Sequence, residues 1–380
     1  MVSEVTKYLS ETIGNRRSGT EADKKAAEYL AGKMKEIGLE VEVQKFKFVG
    51  WDMIREPKLE LLSPEQKEIP AGVFMFSDST PEGGVTGKVE YVGTMYLIPK
   101  LFEWPKYAVV DDDGNHLGYI VAHVDGPVIN FCLLDMGKSY GCAPYVMVGQ
   151  EIHESFQKKL AAGEEIRVRM DIAGKLVSGL ETQNVIGELK GSALPGEEIV
   201  VCAHYDSTYG SRGANDNASG VEAMLRTAKA LTEKGGTKKT VKFIAFGAEE
   251  YLFLGSYYYA KTLKEKGEIG KIKNVINLDM VGVGEYLWVW VAPESFRQQV
   301  AQVLDETIKG EFDVQWFPEL LPASDHWPFF EEGIPSVMFI FWPHEQYHQE
   351  SDSYDKVDIV KIEKTAKAAT VLAERLAGIN

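Results

Sequence analysis

The sequence predicts an α/β protein: a mostly parallel, mixed sheet with helices on both faces, plus a small β-rich domain inserted into it. Three observations lead there. After residue 174, apolar runs of strand length (NVIGEL, EIVVCAH, VKFIAF, NVINLDM, LWVWVA, SVMFIFW) alternate with amphipathic helical stretches, the pattern of a parallel sheet buried on both sides. Between residues 51 and 174 the texture is instead rich in Pro, Gly and Asp, with short β-like runs. The length, 380 residues, exceeds what one small core organises, so two domains are expected. They are 1–50 together with 175–380, and 51–174 as the insertion.

Each element has its own local reason. EADKKAAEYLAGKMKEIG places Ala26, Ala27, Leu30, Met34 and Ile37 at helical spacing, with Thr20 as N-cap and Gly38 as stop. LEVEVQKFKF then alternates as a strand does. In the insertion, GKVEYVG, LGYIVAHV, PYVMVGQ and EIRVRMDIAG read as strands and IHESFQKKLAAG as a helix. Beyond it, GVEAMLRTAKALTEKG carries Val221, Met224, Leu225, Ala228 and Leu231 on one face. FRQQVAQVLDETIKG and KIEKTAKAATVLAERLAG supply two further helices.

Composition narrows the function. The chain is 44% hydrophobic and 26% charged, as soluble globular proteins are. Its net charge of −16 argues against nucleic acid or an anionic membrane as a partner. No stretch has the length of a transmembrane helix, and the start, MVSEVTKYLS, is too polar for a signal peptide. Cys132, Cys142 and Cys202 are too few and too scattered for a disulfide framework, and Cys202 inside IVVCAH reads as a small buried residue. A cytoplasmic location is therefore expected.

Ligands of such sheets bind beyond the carboxyl ends of the strands, and there the polar residues concentrate. IVVCAH ends in His204-Tyr205-Asp206. VKFIAF runs into Glu249-Glu250, and NVINL into Asp279. SVMFIFW is followed by His344, Tyr347, His348 and Asp352, and the loop GSRGANDNASG adds Asp216 before a helix. Each has an ordinary reading alone: a loop histidine, a helix cap, a solvated acid pair. Those readings do not explain why all of them share one end of one sheet. Zinc accepts both imidazole nitrogen and carboxylate oxygen. Two divalent ions, about +4, are balanced by three carboxylates and a bridging hydroxide, about −4. One carboxylate is then left over to act as a base.

The motifs CAHYD, GANDNASG, AEEYLFLGS, NLDMVG, SDHWPF and YHQESDS, in this order and spacing, resemble the zinc exopeptidases of the MH clan. That family includes bacterial leucyl aminopeptidases, glutamate carboxypeptidases and glutaminyl cyclases. The N-terminal RRSGTEADKKAAEYL and an insertion similar to a protease-associated domain extend the resemblance over nearly the whole chain. The resemblance implies the zinc exopeptidase fold and two Zn²⁺ per chain, with Co²⁺ or Mn²⁺ as substitutes. It implies Asp216 as the bridging ligand, His204 and Asp279 on one metal, and Glu250 and His348 on the other. Glu249 would be the general base, Asp206 would orient the His204 imidazole, and Tyr347 would help hold an oxyanion. A cis peptide between Asp216 and Asn217 is also implied. The expected activity is removal of N-terminal residues from peptide substrates. A carboxypeptidase or dipeptidase would need an Arg or Lys for the substrate's free carboxylate, for which Arg212 is a candidate; a cyclase or a non-catalytic scaffold fits less well. Trp327, Phe329, Phe330, Phe341 and Trp342 read either as an apolar wall of the site or as core.

Overall fold

Helix α1 (Glu21–Ile37) shows how local sequence sets an element. The Thr20 hydroxyl accepts the Asp23 amide at 3.3 Å, and Gly38 ends the helix in the left-handed region at φ 97°. The structure, a computed structural model, describes residues 4–98, 100–132 and 143–379. Cys142 lies outside them, while Cys132 and Cys202 are buried. Packing divides the chain into two units, Met1–Lys47 with Glu181–Asn380, and Phe48–Leu180. Two long strands, Glu40–Ser63 and β1 (Arg167–Leu189), contain the points where the chain passes from one to the other. Among the described residues, no helix is long and apolar enough to cross a membrane.

The larger unit is built on β1, β2 (Leu194–His204), β3 (Lys239–Phe246), β4 (Ile272–Leu278), β5 (Tyr286–Ala292), β6 (Val314–Trp316) and β7 (Ser336–Trp342). Their spatial order is β6-β5-β7-β4-β2-β3-β1. The central run β7-β4-β2-β3 is parallel throughout, and antiparallel partners flank it, β5 on β7 and β1 on β3. Four carboxyl ends therefore open on one edge. Alternation decides which side chain meets which layer. Ile199, Val201, Ala203, Val241, Phe243 and Ala245 pack with helices α1, α2 (Gly220–Glu233), α4 (Glu294–Thr307) and α5 (Ile359–Ala377). Val200, Cys202, Ile244 and Phe246 face the opposite layer with α3 (Leu254–Glu265). Helices thus cover both faces, and the sheet is mixed. Helix α3 had no sequence signal, because the run Tyr257-Tyr258-Tyr259 hides its periodicity. Gly220 starts α2 where a Cβ would lie 2.1 Å from the Leu278 carbonyl, so no other residue lets the helix approach β4 this closely.

In the smaller unit, strands Val85–Ile98, Phe102–Val110 and His116–Ala122 pair antiparallel in sequence, and Tyr145–Val148 adds in parallel. Phe102–Val110 was not marked as a strand by the sequence, where Pro105 interrupts the pattern. Helix Gln150–Ala161 buries Phe156 among Tyr107, Val109, Ile120 and Val146.

Asp23, in the first turn of α1, is buried, with no cationic partner among the described residues. The Tyr205 hydroxyl donates to it at 2.6 Å and the Gly19 amide at 2.9 Å. Burial outweighs those bonds and raises its pKa to about 7. A carboxyl raised in the fold favours folding most when protonated. Its contribution is full below the unfolded value near 4 and is lost as pH rises to about 7, up to roughly 4 kcal/mol. Asp23→Asn imitates the neutral form. With zinc held constant, the urea midpoint of the wild type is expected to fall from pH 5 to pH 8 more steeply than that of Asp23→Asn. Parallel slopes would show that Asp23 does not titrate in that range.

Candidate metal centre

The edge made by the four parallel strands gathers the acids and imidazoles. His204 ends β2, Glu249 and Glu250 follow β3, Asp279 follows β4, and His348 lies in the loop after β7. Asp216 comes from the turn Ala214–Ser219 before α2, where Asp216 and Asn217 leave helical geometry and the peptide between them is cis. All six are buried. Left-handed backbone at Ala248, Met280 and His348, with φ of 56°, 52° and 56°, turns the chain sharply beside three of them. Each such residue costs about 1–3 kcal/mol. The turn at Ala248 lets two adjacent glutamates approach the two imidazoles, Glu249 toward His204 and Glu250 toward His348.

The distances carry the chemistry. His204 Nε2 lies 3.1 Å from Asp216 Oδ1, 3.4 Å from Asp279 Oδ1 and 3.9 Å from Glu249 Oε2. His348 Nε2 lies 3.3 Å from Asp216 Oδ2 and 3.2 Å from Glu250 Oε2. The two oxygens of Asp216 therefore face two different imidazoles. Ligand atoms at zinc bond lengths in a tetrahedron sit about 3.3 Å apart, close to these spacings. Glu250 Oε1 and Asp279 Oδ1 are buried without a hydrogen bond, a costly state that a cation would relieve. Ligand atoms of His204, Asp216 and Glu250 lie within 4.8 Å of one another, as do those of His204, Glu249 and Asp279. The donor set fits zinc on these grounds.

Electrostatics agree. Burial pushes Glu249 well above the usual carboxylate range, and Asp279, Asp325 and Glu250 push it further against the pull of His204. Burial likewise raises Glu250 to about 6. For Asp216, burial is outweighed by hydrogen bonds from His204 and His348, which hold it below the ordinary range. Burial opposes charge on His348, yet Glu250 and Asp216 raise it to about 10. His204 is raised in the same way, burial being overcome by Glu249 and Asp279. The surrounding acids favour the protonated imidazoles, and metal binding at such a site displaces protons.

Asp206 does more than the sequence indicated. Its carboxylate accepts the amides of Glu249 and Glu250 at 3.1 and 3.4 Å and the Ser18 hydroxyl at 3.1 Å. The nearest oxygen to His204 Nδ1 is its backbone carbonyl, 3.2 Å away, with the carboxylate at 3.5 Å. Tyr347 stacks on the His348 ring with centroids 3.8 Å apart, and burial keeps its hydroxyl protonated. Arg212 pairs with Glu11 at 3.2 Å. Of the five aromatics, Phe329 and Phe341 are core residues on opposite faces of the sheet. Trp342 meets Tyr347 edge-on at 5.4 Å. Sequence reading missed three residues. Ser324 donates to Asp279 at 2.6 Å, and Asp325 is buried beside Ser256. Arg16 reaches the site from the N-terminal segment. SDHWPF and RRSGT contained them, but no local pattern marked a role.

A buried cluster of acids and imidazoles at the carboxyl edge of a mixed α/β sheet defines a protein able to hold a metal ion there. The model of peptidase family M28 matches residues 184–373. The chain is 27% identical to aminopeptidase YwaD of Bacillus subtilis over 95% of its own length and 81% of that protein. It is similar to the crystal structure of a zinc aminopeptidase from Bacillus subtilis, with TM-score 0.74 and 25% identity over 99% of this chain and 94% of the other. A peptidase M28 precursor from Shewanella amazonensis shares the fold at TM-score 0.79 and 18% identity, over 99% and 92% of the two chains. The chain belongs to peptidase family M28 and is a metallo-exopeptidase.

Proposed function

We propose that the chain is a di-zinc aminopeptidase that removes N-terminal residues from peptides. The observation that carries this is Asp216, whose two oxygens lie 3.1 and 3.3 Å from the Nε2 atoms of His204 and His348. In this reading His204 and Asp279 would hold one ion, Glu250 and His348 would hold the other, and Asp216 would serve both. Zinc bound there would polarise the scissile carbonyl and acidify water. Glu249 accepts the proton of the attacking water and returns it to the leaving amine. Asp206 steadies Glu249 through its backbone amide, and the Tyr347 hydroxyl donates to the developing oxyanion. Residues 51–174 would be a protease-associated module that contributes no chemistry.

Two zinc ions per chain are expected by elemental analysis. Chelation should abolish hydrolysis, and Zn²⁺, Co²⁺ or Mn²⁺ should restore it. Saturation at one ion would overturn the di-metal reading. Direction is tested separately. Leucine anilides and amides are expected to be cleaved and their N-acetylated forms refused. Cleavage of N-blocked peptides that carry a free C-terminal acid would replace this reading with a carboxypeptidase.

A further inference from the structure

The turn that carries Asp216 is held from both sides by charged groups distant in sequence. Arg16 is fully buried and donates from Nε to the Tyr205 carbonyl at 2.5 Å, from Nη1 to Arg212 at 2.6 Å and from Nη2 to Gly213 at 2.6 Å. Asp352, equally buried, works on the amides that follow. Its backbone carbonyl accepts Ala214 N–H at 3.2 Å, Oδ1 accepts Asn215 N–H at 2.8 Å, and Oδ2 accepts Asp216 N–H at 3.0 Å. A cation thus takes the carbonyls of residues 212 and 213, and an anion takes the amides of 215 and 216. Gly213 between them has φ 59°, and a Cβ there would come within 2.3 Å of the Asp216 carbonyl and 2.9 Å of Arg16 Nη2. Only glycine lets the loop close over the guanidinium.

We propose that Arg16 and Asp352 are positioning residues that aim the Asp216 carboxylate before any metal arrives. Preorganisation of this kind lowers the cost of binding, because the loop need not be ordered when the ion enters. The guanidinium suits the task because its planar fork reaches several carbonyls at once, which an ammonium cannot do. Burial lowers the Arg16 pKa to about 10 against the fields of Asp352, Asp206, Asp216 and Glu250, so it remains charged at neutral pH. Its charge also offsets carboxylates crowded around the site. Arg16 lies outside the residues matched by the family model. The inference rests on Asp216 being the bridging ligand. Zinc stoichiometry of the wild type tests that reading alone, and the following measurements test the clamp.

Two variants separate the parts. Arg16→Lys keeps the charge and loses the fork; Asp352→Asn keeps the shape and turns an amide donor toward Asp216 N–H. Each is expected to raise the zinc dissociation constant, read by competition with a chromophoric chelator, by about 10–100-fold. Arg226→Met is the structural control. It breaks a 2.9 Å ion pair with buried Glu222 on α2 and should lower the melting temperature while leaving zinc affinity unchanged. In metal-free wild type, amide exchange across residues 214–216 should be as slow as in the zinc-loaded protein. The proposal is overturned if both variants bind zinc within twofold of wild type. It is also overturned if those amides exchange freely in the metal-free wild type, a result that stands even where a variant fails to fold.

Discussion

Glu249→Gln is expected to keep its zinc and its fold while kcat falls by about 10²–10⁴-fold, the usual share of general acid–base catalysis. KM should move far less, because the change removes an interaction made in the transition state and leaves ground-state binding. Glu249 Oε2 is 3.9 Å from His204 Nε2, further than Asp216 at 3.1 Å or Asp279 at 3.4 Å. That order suits a base beside the ion better than a ligand on it. The opposite assignment has a geometric case, since His204, Glu249 and Asp279 also form a compact trio. Kinetics and metal content together decide. Loss of zinc from Glu249→Gln, with zinc and turnover retained by Glu250→Gln, would exchange the roles of the two neighbours. The expected behaviour of Glu250→Gln is weaker zinc binding with partial rescue by added metal, because it removes a charged oxygen beside His348.

Asp216→Asn should have the largest effect on metal content. Asp216 faces both His204 and His348, so neutralising it would remove charge from both of the proposed ion positions at once. Zinc should fall below one ion per chain at concentrations that saturate the wild type. Affinity should drop by more than the roughly 10–100-fold that changes behind the ligands cost. Turnover should fall with it, and excess zinc should not restore it fully. Retention of two zinc ions with wild-type affinity would show that Asp216 does not bridge. The asparagine keeps the backbone amide that donates to Asp352, so the result reports the carboxylate and not the loop.

Much of the candidate site was legible because strand ends can be read from sequence. The apolar runs stop at His204, at Glu249 and at Asp279, and a parallel sheet puts such ends on one edge. Asp206 was legible as a residue but not in its task. Holding the amides of Glu249 and Glu250 depends on β2 and β3 lying side by side, with His204 level with Phe246. Arg16 lay within the RRSGT stretch, but no local pattern marked its role. An arginine in a polar N-terminal stretch gives no hint that it will be buried 197 positions away from the Gly213 carbonyl it holds.

The sequence by itself determined the α/β class, the span and caps of α1, the buried face of α2, the existence of helices α4 and α5, and the residues at the strand ends. Hydrophobic period and capping are local properties, written within one or two turns of chain. Only the tertiary structure decided that Phe329 and Phe341 are core residues, that α3 is a helix despite its tyrosine run, and that Arg16 and Asp352 meet on one loop. These depend on strand order and packing, which bring together residues more than a hundred positions apart. No local period records those contacts. The same reason applies to Asp216: its neighbours in sequence mark a turn, and its two oxygens acquire their directions only when β2 and the loop after β7 converge on it.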